Sequence, residues 1–212
     1  MQRRRADRVT IAYETYGQLA PDGRNAILIT HGFTNSHHAA GRYDETDPSP
    51  GWWDGVIGPG KAIDTNRLYV VSSNMLGSSY GSTNPASVNP ATGIPYGPDF
   101  PELAVEDIVG AQKALVDALG ISHLVAVAGR SYGGFQAFAW GYLFPTFMNG
   151  LVVVSSGPRS SQNAHAEQDL LARLAADPNW AVPASACARC DVQTQSRRSG
   201  RDLLFAGECL WT

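Results

Sequence analysis

An apolar run that breaks into a serine between glycines and turns at once to a helical pattern leaves a chain few ways to fold. Residues 123–140 read HLVAVAGRSYGGFQAFAW. Leu124, Val125, Ala126 and Val127 are small or branched and apolar, the make-up of a strand buried in a sheet. From Phe135 the apolar positions Phe135, Phe138 and Ala139 recur at helical spacing. Between the two lies Gly129-Arg130-Ser131-Tyr132-Gly133, a match to G-x-S-x-G. A serine at so sharp a turn projects its hydroxyl above the sheet, and the flanking glycines remove side chains that would clash there. The first turn of the helix carries amides with no intrahelical acceptor, so the Tyr132 N–H can face a developing oxyanion. Ser131 is the nucleophile position.

The rest of the chain alternates strands and helices around this junction. Strands are predicted over 9–16, 25–30, 67–73 and 151–155, beside the strand of 123–128. A helix is predicted over 102–119, with Val105, Ile108, Val109, Ala111, Leu115 and Leu119 on one face and Gly120 as its stop. A second helix follows Ser131 and ends at Pro145. This alternation predicts an α/β fold, a mostly parallel sheet with helices on both faces. Two Gly/Pro-rich loops, 35–60 and 74–99, are long enough to be rare in a compact domain unless they serve function.

Composition narrows the function classes. At 212 residues, 43% hydrophobic and 17% charged, the chain can bury a sizeable core and is not of disordered type. A formal net charge of −3 argues against nucleic acid or an anionic membrane as partner. Met1 to Arg5 is basic but runs into Ala6-Asp7-Arg8 without an apolar segment, so no signal peptide and no membrane span is predicted, and the cytoplasm is the expected location.

An oxyanion hole usually takes a second donor from the loop after an earlier strand. His31-Gly32-Phe33-Thr34 occupies that place, which makes the Phe33 amide the candidate.

Longer stretches carry a resemblance. AYETYG (12–17), HGFTNSHHAAGRY (31–43), GWWDGVIGPGKAIDT (51–65), YGSTNPASVNPATGIPYG (80–97), GRSYGG (129–134) and SQNAHAEQ…DPNW (161–180) are collinear. Over about residues 9–180 the chain resembles the homoserine O-acetyltransferase family of α/β-hydrolase-fold enzymes. The resemblance implies an α/β-hydrolase core over 1–159, the start of a helical cap over 160–181, and an atypical tail over 182–212. It also implies a serine acyl-enzyme mechanism, in which an acetyl group passes from coenzyme A through the serine to a hydroxyl acceptor. The family's catalytic aspartate and histidine lie in its C-terminal third.

That third departs from the family. The histidines are His31, His37, His38, His123 and His165, and none follows a seventh or eighth strand. His31 reads as structural, His37 and His38 as loop support, His123 as lying at the wrong end of the sheet, and His165 as solvated. From Val182 the sequence loses any steady period and holds all three cysteines, Cys187, Cys190 and Cys209. This stretch reads as a non-native continuation, from a frame change, deletion or truncation before the last strands. A strand at 151–155 would then lie at a sheet edge unless the tail covers it. The Cys187–Cys190 spacing supplies too few ligands for zinc and lacks a redox setting, so no metal or cofactor is expected.

Substrate is read from two further departures. The family's cap arginine, which holds the homoserine carboxylate, falls on Leu171, and leucine cannot pair with a carboxylate. Arg173 is roughly 200° further round a helix. The loop reads His-Gly-Phe-Thr-Asn where the transferases commonly carry His-Ala-Leu-Thr-Gly. Both favour hydrolysis of short, neutral acyl esters over transfer to an amino-acid alcohol. The alternatives are an O-acetyltransferase with acetyl-CoA as co-substrate, and a fragment lacking the triad Asp and His. The expected partner is a small ester or alcohol, with a homodimer admitted.

Overall fold

The computed structural model describes residues 8–158, 172, 173, 176 and 203–208. Strands β1 (Arg8–Tyr16), β2 (Ala26–Thr30), β5 (Tyr69–Ser73), β6 (Leu124–Arg130), β7 (Leu151–Val154) and β8 (Leu203–Glu208) form one six-stranded sheet in the order β7-β6-β2-β5-β1-β8. β2 runs parallel to β5 and β6, and β6 parallel to β7, while β1 is antiparallel to both β5 and β8. This is the mostly parallel α/β sheet that the alternating pattern predicts.

Helix α1 (Val105–Ala118) precedes β6 and helix α2 (Tyr132–Leu143) follows it. The Asp107 carboxylate accepts from the Ala104 N–H at 2.8 Å, which fixes the start of α1, and Gly120 at φ +75° ends it. Ile108, Val109, Leu115 and Val116 of α1 pack with Ala137 and Trp140 of α2 onto Val9, Ile11, Leu28, Val71 and Val127 of the sheet.

The opposite face is covered differently. Among the described residues α1 and α2 cover one face of the sheet, and the loop 35–64 covers the other. Ala39, Ala40, Ile57, Trp52 and Trp53 pack there over Ile27, Ile29, Val70, Ala126 and Ala128. Within that loop β3 (Ile57–Gly58) and β4 (Ile63–Asp64) form a short parallel pair, which is too brief to leave a periodic signal. The alanines matter because a loop can approach a sheet closely only where its side chains are small. Gly51 shows how tight the loop is: a Cβ there would lie 2.2 Å from the Ala40 backbone nitrogen.

A strand at 203–208 is absent from the sequence reading, which found no regular element beyond residue 182. Leu203-Leu204-Phe205-Ala206-Gly207-Glu208 is a short apolar run with no alternation, and such runs have no distinguishing period. Its pairing with β1, Arg8↔Glu208 through Tyr13↔Leu203, covers the β1 edge. At the other end of the sheet β7 stands at the edge of the described strands, with Val152 48% exposed.

Candidate active site

Ser131 sits between β6 and α2 with φ 54° and ψ −122°, a left-handed backbone that few side chains adopt. Three contacts impose it. The Ser131 N–H donates to the Val154 carbonyl of β7 at 2.9 Å, and its carbonyl accepts from the Gly134 N–H at 2.8 Å. Thr30, at the end of β2, donates its hydroxyl to the Gly133 carbonyl at 2.8 Å. The glycines of the motif are there for space. A Cβ on Gly129 would lie 2.1 Å from the Gly133 carbonyl oxygen, and one on Gly133 would lie 2.0 Å from that of Thr30. The strand, turn and helix are therefore closer than any alanine permits, and the serine is left exposed above the sheet.

The loop after β2 comes up beside it. A Cβ on Gly32 would stand 3.5 Å from the Ser131 Cβ, and the Asn35 N–H closes a turn onto the Gly32 carbonyl at 3.1 Å. Phe33 lies at the tip of this turn, 78% exposed, with its ring edge-on to Tyr132 at 5.8 Å. The Phe33 N–H donates to none of the described residues. Tyr132 opens α2, at the amino end where helix N–H groups point outward. The structure thus brings together Ser131, Phe33 and Tyr132. Leu171 lies outside the described residues, as do His165, Cys187, Cys190 and Cys209.

His31 is wholly buried and its ring is held at both nitrogens. Nε2 accepts from the Met75 N–H at 3.0 Å, so the proton sits on Nδ1, which donates to the Gly32 carbonyl at 2.8 Å. Burial pushes its pKa down to about 4, so the ring is neutral at ordinary pH. His123 bonds Asn149 at 2.8 Å, at the opposite end of β6 from Ser131. His38 bonds both carboxylate oxygens of Glu14 at 3.2 Å. Among the described residues no imidazole hydrogen-bonds to the Ser131 hydroxyl. Nor do the described residues hold a group of three His, Cys, Asp or Glu able to take a metal ion.

Two clusters escape the sequence reading. Glu14 is a buried carboxylate that accepts from Tyr16, from Tyr43 at 2.7 Å and from His38. Burial opposes its charge, but the bonds from His38, Tyr16 and Tyr43 prevail and hold its pKa low. Burial opposes the His38 charge as well, yet the bond and charge of Glu14 raise its pKa. Tyr16 in turn accepts from the Ala39 and Ala40 N–H groups, both at 3.1 Å, so the cluster clamps the loop 35–64 to β1. The alternation of β1 could have marked Glu14, since an acid in a strand so apolar needs partners. The second cluster, Gln112, Gln136 and Trp140, lies under the elbow and has no sequence signal beyond two glutamines on helical faces that are otherwise apolar.

A sheet of this order, with a strained serine between β6 and α2, defines an α/β-hydrolase core. The alpha/beta hydrolase fold family matches residues 25–182, and the chain belongs to it. Its relatives are more specific. The chain is 46% identical over 176 residues to a homoserine O-acetyltransferase of Moorella thermoacetica, covering 81% of this chain and 46% of that protein. It is 48% identical over 175 residues to a homoserine O-succinyltransferase of Methylibium petroleiphilum, covering 82% of this chain and 45% of that one. Among solved structures, esterase E22 superposes with a TM-score of 0.75 at 45% identity, covering 81% of this chain and 49% of the esterase. The chain spans about half the length of the curated relatives it matches. None of its described helices is long and apolar enough to cross a membrane.

Proposed function

We propose that this chain carries a serine acyl-transfer centre and that its preferred reaction is hydrolysis of short acyl esters. The Ser131 oxygen attacks the acyl carbon, and the oxyanion that forms accepts from the Phe33 and Tyr132 amides. The alcohol then leaves, and water releases the acid from the Ser131 ester. The observation that carries this reading is the left-handed Ser131 at the head of α2, packed against the Gly32 turn. Backbone strain of this kind costs of order 1–3 kcal/mol and persists where the surroundings impose it, commonly at reacting groups. Leu171, in place of a carboxylate-binding arginine, supports a neutral ester, and the likeness to an esterase agrees.

Transfer of the acyl group to an alcohol such as homoserine is the second reading, favoured by the names of the curated relatives. Both readings need a proton acceptor for the Ser131 hydroxyl, which the described residues do not bring to it. Without one, the oxyanion hole and binding alone leave roughly 10³–10⁴-fold over water.

The test is p-nitrophenyl acetate hydrolysis and fluorophosphonate labelling of the parent and Ser131→Ala, beside thiol release from acetyl-CoA with and without homoserine. Slow ester cleavage and labelling, both lost in Ser131→Ala, are expected. Homoserine-dependent thiol release exceeding ester hydrolysis would replace the first reading by the second. Labelling unchanged in Ser131→Ala would remove both.

A further inference from the structure

Three side chains buried beneath the elbow form a one-way chain of hydrogen bonds that the chemistry at Ser131 does not touch. The Trp140 indole N–H donates to Gln112 Oε1 at 2.8 Å, and Gln112 Nε2 donates to Gln136 Oε1 at 2.7 Å. Gln136 Nε2 then donates to the His31 carbonyl at 3.3 Å and lies 3.0 Å from the Met75 sulfur. All three side chains are at most 1% exposed. Direction is imposed from one end, because an indole can only donate. Gln112 must offer Trp140 its oxygen, which turns its NH₂ to Gln136, which turns the Gln136 NH₂ to the loop after β2.

That loop is where the direction matters. The His31 carbonyl, held by Gln136, belongs to the peptide that enters Gly32. The next carbonyl, that of Gly32, is held by His31 Nδ1–H at 2.8 Å and Asn35 N–H at 3.1 Å. A trans peptide is planar with its C=O and N–H opposed, so pinning the Gly32 oxygen sets where the Phe33 N–H points. The peptide before Gly32 is thereby held from the core by Gln136, and the peptide after it by the buried His31 ring together with the Asn35 amide of the same loop. If space-filling were all that was needed between α1 and α2, apolar residues would fill it without burying amides that each demand a partner.

We propose that Gln136, with Gln112 and Trp140 behind it, is a positioning residue that aims the Phe33 N–H into the oxyanion hole. This role rests on the reading of Ser131 as the acylated nucleophile. An oxyanion donor acts through its pre-set geometry, so loosening it lowers the rate of acyl transfer and leaves ester binding nearly untouched.

The experiment uses the 212-residue chain with Gln136→Met, Gln136→Glu and Trp140→Phe. Acylation by p-nitrophenyl acetate is followed in single turnover for its saturating rate and half-saturating concentration. Hydrogen exchange is read at the Asn35 and Met75 amides, relative to those of β2. Gln136→Met is expected to lower the saturating rate by roughly 10- to 100-fold, the scale of a small misplacement. Half-saturation should stay within about twofold, and Asn35 and Met75 should exchange faster. Trp140→Phe, which frees Gln112 to turn over, should show the same signature at smaller size. It carries the test should Gln136→Met not fold. Gln136→Glu should lose rate at neutral pH and recover part of it as pH falls, when the carboxyl regains a proton to donate. An unchanged saturating rate, a lowered rate without faster exchange, or an effect confined to half-saturation would overturn the proposal. If the parent shows no Ser131-dependent acylation, the nucleophile reading fails, and exchange alone decides: faster Asn35 and Met75 amides uphold the positioning, unchanged ones overturn it.

Discussion

His31 does its work as a neutral ring, and that ties stability to pH. Its folded pKa is near 4, below the roughly 6.5 of a free imidazole, because charging it in the core is costly. The folded state therefore binds fewer protons than the unfolded state in this range. Its contribution is whole above about pH 6.5 and is lost as pH falls to about 4, at roughly 1.4 kcal/mol per unit. His38 acts with the opposite sign: its raised pKa gives a contribution present at low pH and lost as pH rises through that value. Glu14, with a lowered pKa, gives way only at the acid end, as pH falls through its folded value. Urea unfolding at pH 7.5 and 5.0 should show the change in stability on acidification to be clearly less favourable in the parent than in His31→Asn, whatever the variant's starting level. Equal changes in the two proteins would contradict the assignment.

At the scale of elements, the β6–α2 junction is built on what is missing from it. Gly133 lets the first turn of α2 approach the Thr30 carbonyl more closely than any Cβ permits. Gly133→Ala must push α2 from β2 or break the Thr30 bond to the Gly133 carbonyl, and overpacking against backbone costs roughly 2–3 kcal/mol. In a chain of this length that lowers Tm by roughly 4–12 °C. Gly110 is the control, since it lies on the exposed side of α1 with nothing within 4 Å of where its Cβ would be. Gly110→Ala should raise stability by roughly 0.5–1 kcal/mol. Calorimetry on the two variants reads both signs, and a harmless Gly133→Ala would show that the junction is looser than its geometry states.

At the scale of the whole molecule, the described strands end the sheet at β8 on one side and at β7 on the other. β7 offers Leu151, Val152 and Val154, 36%, 48% and 37% exposed, with no charge or proline among them. Such an edge is a template for pairing with another chain. The 212-residue chain is expected to self-associate at tens of micromolar, as light scattering after size exclusion would show. Val152→Lys should shift it toward monomer. Val153 is the wrong position for that test, because it packs with the core beneath α2. A clean monomer in the parent would contradict the expectation, and an unchanged oligomer in Val152→Lys would place the association elsewhere.

The local pattern of this sequence determined a good deal by itself. The strand before Ser131, the glycines around it and the helix after it are dictated within about 20 residues, because turn sterics and burial periodicity are local. The five strands read from apolar runs are all in the sheet, with ends shifted by one or two residues where pairing stops. What the sequence left open depends on partners distant along the chain. Among the described residues loop 35–64 covers one sheet face, where Ala39, Ala40 and the two tryptophans pack, and no period announces it. The 203–208 strand exists through its ladder with β1, which a six-residue apolar run cannot declare. Glu14 and Gln136 became legible only once His38, Tyr43, Gln112 and the His31 carbonyl stood beside them, 24 to 105 residues away. A buried polar group is defined by what satisfies it, and that is settled by the tertiary structure alone.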